Sequence, residues 1–232
     1  MSIFGYSSEA APVKDIIGGN FEVPKTDVYP ITLGHVYTTK TSKGGTAITI
    51  IGKYEDGTEF KKTIYPTSTK SGVEKNTYLG KDNKPVYLAD FLHFDALCLL
   101  ALGKPASEVT TEDKMVKIFD NDLKKEVPKK VATFVDFNGK QVLLALTRVL
   151  KTKQKIVGDT YVDAEGTRTE QNLDKVFRYV DRKTVTEVST QSDATYMDAW
   201  LAKYQGKDKD LTTKQSGVAG APEAPAMVKP LF

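Results

Sequence analysis

One cysteine and two histidines leave this chain poor in the side chains from which thiol chemistry, zinc centres and general-base sites are usually built. Cys98 stands alone within Leu97-Cys98-Leu99-Leu100, which excludes an internal disulfide and reads as a small buried hydrophobe. His35 falls in a strand-like stretch and His93 in an apolar helical one, so both read as structural residues. The chain also lacks a glycine-rich phosphate loop ending in Gly-Lys-Ser/Thr, a Gly-x-Ser-x-Gly elbow and paired Cys/His zinc spacing. Around Asp120, Asn121 and Asp122 the composition is that of a calcium loop, but the required glycine and the twelve-residue ligand spacing are missing. A solvated turn is the plainer reading, and no catalytic residue, metal ligand or cofactor is assigned. The longest apolar run, around residues 91–102, is too short and too interrupted to cross a bilayer. Nothing near residue 1 reads as a signal peptide, so the expected location is the cytoplasm.

Net charge is equally uninformative: 33 basic residues against 30 acidic ones give only +3. Its distribution says more. Residues 61–84 hold six lysines against Glu74 and Asp82, and residues 140–183 hold ten basic side chains against six acids. Each segment carries +4, which leaves the remainder acidic and predicts a basic face.

The apolar pattern predicts a mainly β domain. Tyr29, Ile31 and Leu33 alternate, Gly34 interrupts, and Val36 and Tyr37 resume, as in a long strand with a bulge. A turn at 42–45 leads to a β-branched run at 47–51, and Asp56-Gly57 signals a tight hairpin into 59–65. Residues 67–87 read as a long basic loop. Residues 88–102, apolar on most sides and stopped by Gly103 and Pro105, read as a core helix. The stretch 107–130 is ambiguous, with a short helix near Glu112 as one option. A fourth strand is expected at 139–150, then a lysine-bearing loop with an excursion over 161–168, and a fifth strand at 174–188. Residues 193–204 carry Tyr196, Met197, Trp200, Leu201 and Tyr204 at helical spacing. Three meander strands, a helix and two returning strands match the connectivity of an OB-fold, a five-stranded barrel. The expected division is an N-terminal arm at 1–26, the barrel domain with its appended helix at 27–204, and a flexible tail at 205–232.

Aromatic and basic residues interleave on these strands and loops. Lys61, Thr63 and Tyr65 share one face of the third strand, with Phe60, Lys62 and Ile64 on the other. Lys53 and Tyr54 end the second strand, and Arg178 and Tyr179 belong to the fifth. The loops supply Lys70, Lys75, Tyr78 and Lys84 on one side and Lys151, Lys153 and Lys155 on the other. Flat rings along a lysine-lined groove suit unpaired nucleic acid, whose bases stack for about 1–3 kcal/mol each while phosphates bind by counterion release. Phe60, Ile64 and one of Phe177 and Tyr179 are the expected core members of this set.

After Lys214 the sequence turns to small residues and proline, and ends in Pro230, Leu231 and Phe232. That composition reads as a tether carrying an apolar docking tip for a partner protein.

Several short motifs resemble the single-stranded DNA-binding proteins of tailed bacteriophages, in the group related to the virion-RNA-polymerase phages. They are Gly18-Gly19-Asn20-Phe21-Glu22-Val23, Lys43-Gly44-Gly45-Thr46-Ala47, Thr63-Ile64-Tyr65, Thr111-Glu112-Asp113-Lys114, Lys125-Glu126-Val127-Pro128, Asn172-Leu173-Asp174-Lys175-Val176-Phe177 and Lys229-Pro230-Leu231-Phe232. The resemblance implies an OB-fold, coating of exposed strands in phage DNA replication and recombination, and recruitment of replication or recombination proteins through the C-terminal tip. It departs from the group in its tail, where lysines balance the acids that are usually in excess. The expected function is therefore sequence-independent single-stranded DNA binding without enzymatic activity. A structural or assembly protein using the barrel for protein contacts is the alternative, and a nucleic-acid enzyme built on Asp120 and Asp122 is a third.

Overall fold

The computed structural model describes residues 23–70, 72–120, 123–158 and 160–212. Most of the N-terminal arm, Asp122, and the tip Pro230, Leu231 and Phe232 lie outside them. Strands dominate. The main sheet begins with β1 (Asp27–Lys40), β2 (Thr46–Lys53) and β3 (Glu59–Ile64), the meander expected from the sequence. The register of β1 on β2 shifts between Leu33 and Val36, so the bulge sits at Gly34 and His35. Gly52 lets β1 and β2 close up: a Cβ there would stand 2.7 Å from the Thr32 carbonyl oxygen and 2.8 Å from Ile31 Cγ2.

Residues 67–87 are not a loop. They form two short hairpins, β4 (Ser68–Lys70) with β5 (Val73–Lys75) and β6 (Thr77–Leu79) with β7 (Pro85–Tyr87). Helix α1 (Ala89–Leu102) follows and ends on Gly103, whose φ of 71° is the left-handed cap a glycine adopts without strain. The ambiguous stretch after it is a third hairpin, β8 (Glu112–Asp120) with β9 (Lys125–Thr133); Glu112 itself opens β8, and the helical structure before it is a single 3-10 turn at Ala106–Glu108. Val116, Ile118, Val127 and Val131 lie on one face of that hairpin and are at least partly buried, which holds the segment as a ribbon.

Next come β10 (Gln141–Val157) and β11 (Thr160–Arg178), a single long antiparallel pair. The lysine-bearing loop expected after residue 150 is thus strand, and the fifth strand starts earlier and stops at Arg178 rather than running to 188. Residues 185–188 open a short helix instead, α2 (Val185–Ser189), closed by a capping box between Thr184 and Glu187. Helix α3 (Tyr196–Tyr204) is the expected amphipathic one, and within the segment read as tail, β12 (Lys209–Leu211) runs parallel to β10.

The path through the main sheet is β11-β10-β1-β2-β3, with β8, β9 and β12 attached beside it. The order agrees with a barrel whose helix lies between its third and fourth strands, but β3 and β11 do not pair and the sheet is not closed. Side chains occupy that seam in place of a backbone ladder: Lys62 Nζ donates to the Gln171 carbonyl and, at 3.2 Å, to Asn172 Oδ1. Inside, Phe94, Leu97, Cys98 and Leu100 of α1 pack against Ile31, Leu33, Val36, Ile50, Phe60, Ile64 and Leu144. Burial pushes the Cys98 thiol up to about 12, so it stays protonated and serves as packing. On the other side of β10 and β11, Met197 and Trp200 of α3 cover Leu143, Ala145 and Phe177.

Candidate nucleic-acid interface

Strand alternation sends Phe60 and Ile64 inward, and leaves Lys61 and Tyr65 on the outer face of β3. Tyr65 is 54% exposed, and its backbone N–H donates to Asp90 Oδ2 at 2.7 Å, which ties the end of β3 to the first turn of α1. Tyr54 differs. Its ring meets Tyr29 and Phe60 edge-on at centroid distances of 5.4 and 5.7 Å, and its hydroxyl donates to Gln171 Oε1 at 3.0 Å. Burial raises the Tyr54 phenol to about 12, which marks a ring integrated into the edge of the core.

The seam between β3 and β11 is a cleft of about 530 Å³, lined by Lys61, Lys62, Thr63, Glu170 and Gln171 together with Tyr54. Burial lowers the Lys62 ammonium from its ordinary range. Lys151 stands at the same seam, ion-paired to Glu170 at 2.7 Å, and the Lys151 ammonium holds the Glu170 carboxyl low. Beyond Lys151, β10 and β11 have only each other as partners and run out as a two-stranded ribbon. From Thr152 to Val157 this projection extends about 20 Å at ordinary strand rise. It exposes Lys153 and Lys155, neither in an ion pair among the described residues, and near its tip pairs Ile156 with Tyr161, which is 67% exposed.

The β6–β7 hairpin, which leads into α1, exposes Tyr78 and Tyr87, and Lys75 and Lys84 stand exposed nearby in sequence, Lys84 within 3.7 Å of Asp82. Lys53 is exposed at the far end of β2. The structure therefore brings Lys61 and, through its ion pair with Glu170, Lys151 to the seam, with the ribbon lysines beyond, while Tyr65 lies just past the end of β3 and is tied to α1. It does not bring Arg178 and Tyr179 to the ribbon. They end β11 at the opposite extremity from its tip, and both oxygens of Asp181 engage the Arg178 guanidinium. The backbone of Lys70 ends β4, pairing with Val73.

Three aromatic side chains escape a reading of lysine spacing alone: Tyr87, its neighbour Phe91, and Tyr161. The sequence does hold a signal for the last. Gly158-Asp159 between two β-branched runs reads as a two-residue hairpin signal, and Val157 is paired with Thr160 on either side of it. Among the described residues no three His, Cys, Asp or Glu side chains cluster as a metal site, and Asp120 is ion-paired to Lys129 at 2.9 Å. Among them also, no helix is long and apolar enough to cross a membrane. Comparison with protein-family models, with curated proteins and with solved structures finds no match.

Proposed function

We propose that the protein binds single-stranded DNA without sequence preference and protects exposed strands during replication and recombination of phage DNA. In this reading the five strands β1, β2, β3, β10 and β11 are an OB-fold whose closing pair is open at the seam. The unpaired strand runs along the outer face of β3, between the tyrosines of the β6–β7 hairpin and the β10–β11 ribbon. One observation carries the proposal: the cleft at the edge of the open sheet is lined by Lys61, exposed and in no ion pair among the described residues, with Lys153 and Lys155 likewise exposed on the ribbon and Tyr65 exposed just past the end of β3. Rings supply stacking and lysines supply phosphate neutralisation, and neither discriminates among bases, so the binding is sequence-independent. No step of this function calls for a catalytic group.

Fluorescence anisotropy with labelled single-stranded DNA, duplex DNA and RNA oligomers tests the reading. Binding to single strands that weakens steeply with salt supports it, and the RNA arm fixes which nucleic acid is preferred. Failure to bind any single strand overturns it.

A second reading, an assembly protein acting through protein contacts, is favoured by one feature. Met115, Phe119 and Pro128 share the exposed face of the β8–β9 hairpin. Magnesium-dependent cleavage in the same assay would favour the third, an enzyme using Asp120 and Asp122.

A further inference from the structure

Tyr87 and Phe91 form a stacked pair, with ring centroids 4.9 Å apart and planes inclined by only 24°. Offset stacking of this kind is one of the two favoured arrangements of aromatic rings, and the core pairs of this chain use the other or a tilted one, as Tyr54 and Phe60 do at 88°. Here one ring is supplied by the first turn of α1 and the other by the last residue of β7, and both are pinned. The Leu88 N–H donates to the Asn76 carbonyl at 2.9 Å, Tyr87 is registered opposite Thr77, and Asp90 holds Tyr65. Phe91 is half-buried, while Tyr87 is 51% exposed. The result is a fixed flat ring with solvent access, three residues from the Asp90 that holds the Tyr65 N–H and three residues past the chain's lysine-rich segment at 61–84. Lys75, Lys81 and Lys84 are exposed in that segment.

We infer that Tyr87, backed by Phe91, is a stacking ledge for a nucleobase of an unpaired strand. The inference deepens the function proposed above and rests on it. Stacking a base on a mobile side chain loses free energy to ordering that side chain, whereas a ring already held by Phe91 loses little. The neighbouring lysines take the phosphates that flank the stacked base. Tyr78 points to the opposite face of the same hairpin, since it pairs with Val86 while Tyr87 pairs with Thr77. One base cannot use both, and it is Tyr87 that has the backing ring.

The test compares wild type with Tyr87→Phe, Tyr87→Leu and Tyr87→Ala in the full chain, using a labelled oligothymidylate and an abasic oligomer of equal length. Tyr87→Phe keeps the wild-type affinity, because stacking needs only the ring. Tyr87→Leu keeps apolar packing on Phe91 but loses the π face. It and Tyr87→Ala weaken oligothymidylate binding roughly 5- to 100-fold. On the abasic oligomer all four proteins bind alike, which a merely structural role would not produce. Thermal midpoints identify any variant that fails to fold, and Tyr87→Leu is the one chosen to retain packing. If wild type binds and Tyr87→Leu binds oligothymidylate equally well, the ledge is wrong while the function stands. If wild type binds neither oligomer, the function itself is wrong and the ledge falls with it. Self-association of wild type in sedimentation that Tyr87→Leu abolishes, with DNA affinity unchanged, would make the ring a protein contact and overturn the assignment.

Discussion

The backbone N–H of Tyr65 donates to the Asp90 carboxylate at 2.7 Å, so the residue that follows β3 is positioned by the first turn of α1. The bond makes two elements 25 residues apart into one rigid corner. Asp90 also lies beside His93, with Oδ1 3.6 Å from Nδ1, and His93 and the Tyr65 N–H hold its carboxyl below the usual range against the opposing effect of burial. Because the donor to Asp90 is backbone, the Tyr65 side chain is left free for another task.

Tyr65 and Tyr54 should therefore separate under alanine substitution. Tyr65→Ala is expected to cost roughly 1–3 kcal/mol of single-strand binding and to leave the thermal midpoint nearly unchanged. Tyr54→Ala removes a ring packed on Tyr29 and Phe60 and a hydrogen bond to Gln171, and should cost on the order of 3 kcal/mol of stability. Denaturant titration and anisotropy on the same samples check both. A Tyr65→Ala protein that melts early would place that ring in the core.

The three lysines Lys151, Lys153 and Lys155 of β10 should not behave alike. Lys153 and Lys155 are exposed and have no ion-pair partner among the described residues. Their joint replacement by Ala should flatten the salt dependence of binding by about 0.7 for each phosphate they neutralise. Lys151 already neutralises Glu170 at 2.7 Å, so Lys151→Ala alone should change the slope less. Binding isotherms across a range of salt concentrations decide. An unchanged slope in the double variant would leave the ribbon as a solvated projection.

The legibility of this fold in its sequence follows the range of the interactions. The β1–β2–β3 meander and α1 are readable because alternation, the Asp56-Gly57 turn and the Gly103 stop are local signals. Lys61 and Tyr65 follow from the same alternation. Residues 67–87 are not readable in this way, because short exposed hairpins carry little apolar alternation and are held by hydrogen bonds between separate elements, as Leu88 is by Asn76; over 107–130 apolar residues fall on both faces, Val116 and Ile118 on one and Met115 and Phe119 on the other, which blurs the alternation. The open seam is illegible for a related reason: whether Lys62 reaches Gln171 or a ladder closes depends on residues 109 apart. Tyr54 and Tyr65 both sit among lysines and threonines near a strand end, yet only the packed structure distinguishes the core ring from the exposed one.

Gly52 offers a test of the sheet itself. A Cβ at this position meets backbone at 2.7 Å and a branched side chain at 2.8 Å, and neither can move without shifting β1. Gly52→Ala should destabilise the fold by about 1–3 kcal/mol. DNA affinity, measured where the variant is fully folded, should be unaffected. A stability equal to wild type would show that β1 and β2 can separate by the required fraction of an ångström at no cost.

Acid sensitivity should originate at Glu187. Burial of this side chain works to raise its pKa, but the backbone N–H groups of Thr184, Tyr196 and Thr195, with the Thr184 hydroxyl, outweigh that and hold it at about 2 against an ordinary value of 4.5. A carboxyl whose folded pKa lies below its unfolded one contributes stability that is complete above the unfolded value. That contribution is lost as pH falls from about 4.5 toward about 2, because the unfolded chain takes up the proton first. The four donors belong to the start of α2 and the start of α3, so protonation loosens the joint that seats α3 over Phe177. Glu187→Gln keeps the size, loses the charge and replaces one acceptor oxygen by a donor, and should cost on the order of 2 kcal/mol at neutral pH. The loss should shrink as the wild type itself becomes protonated, so the two denaturation midpoints should converge between pH 4.5 and pH 2. Trp200 fluorescence reports the seating of α3 directly. Parallel midpoints across that window would mean that Glu187 titrates alike in the folded and unfolded chain, and that its hydrogen bonds do not favour the charged form.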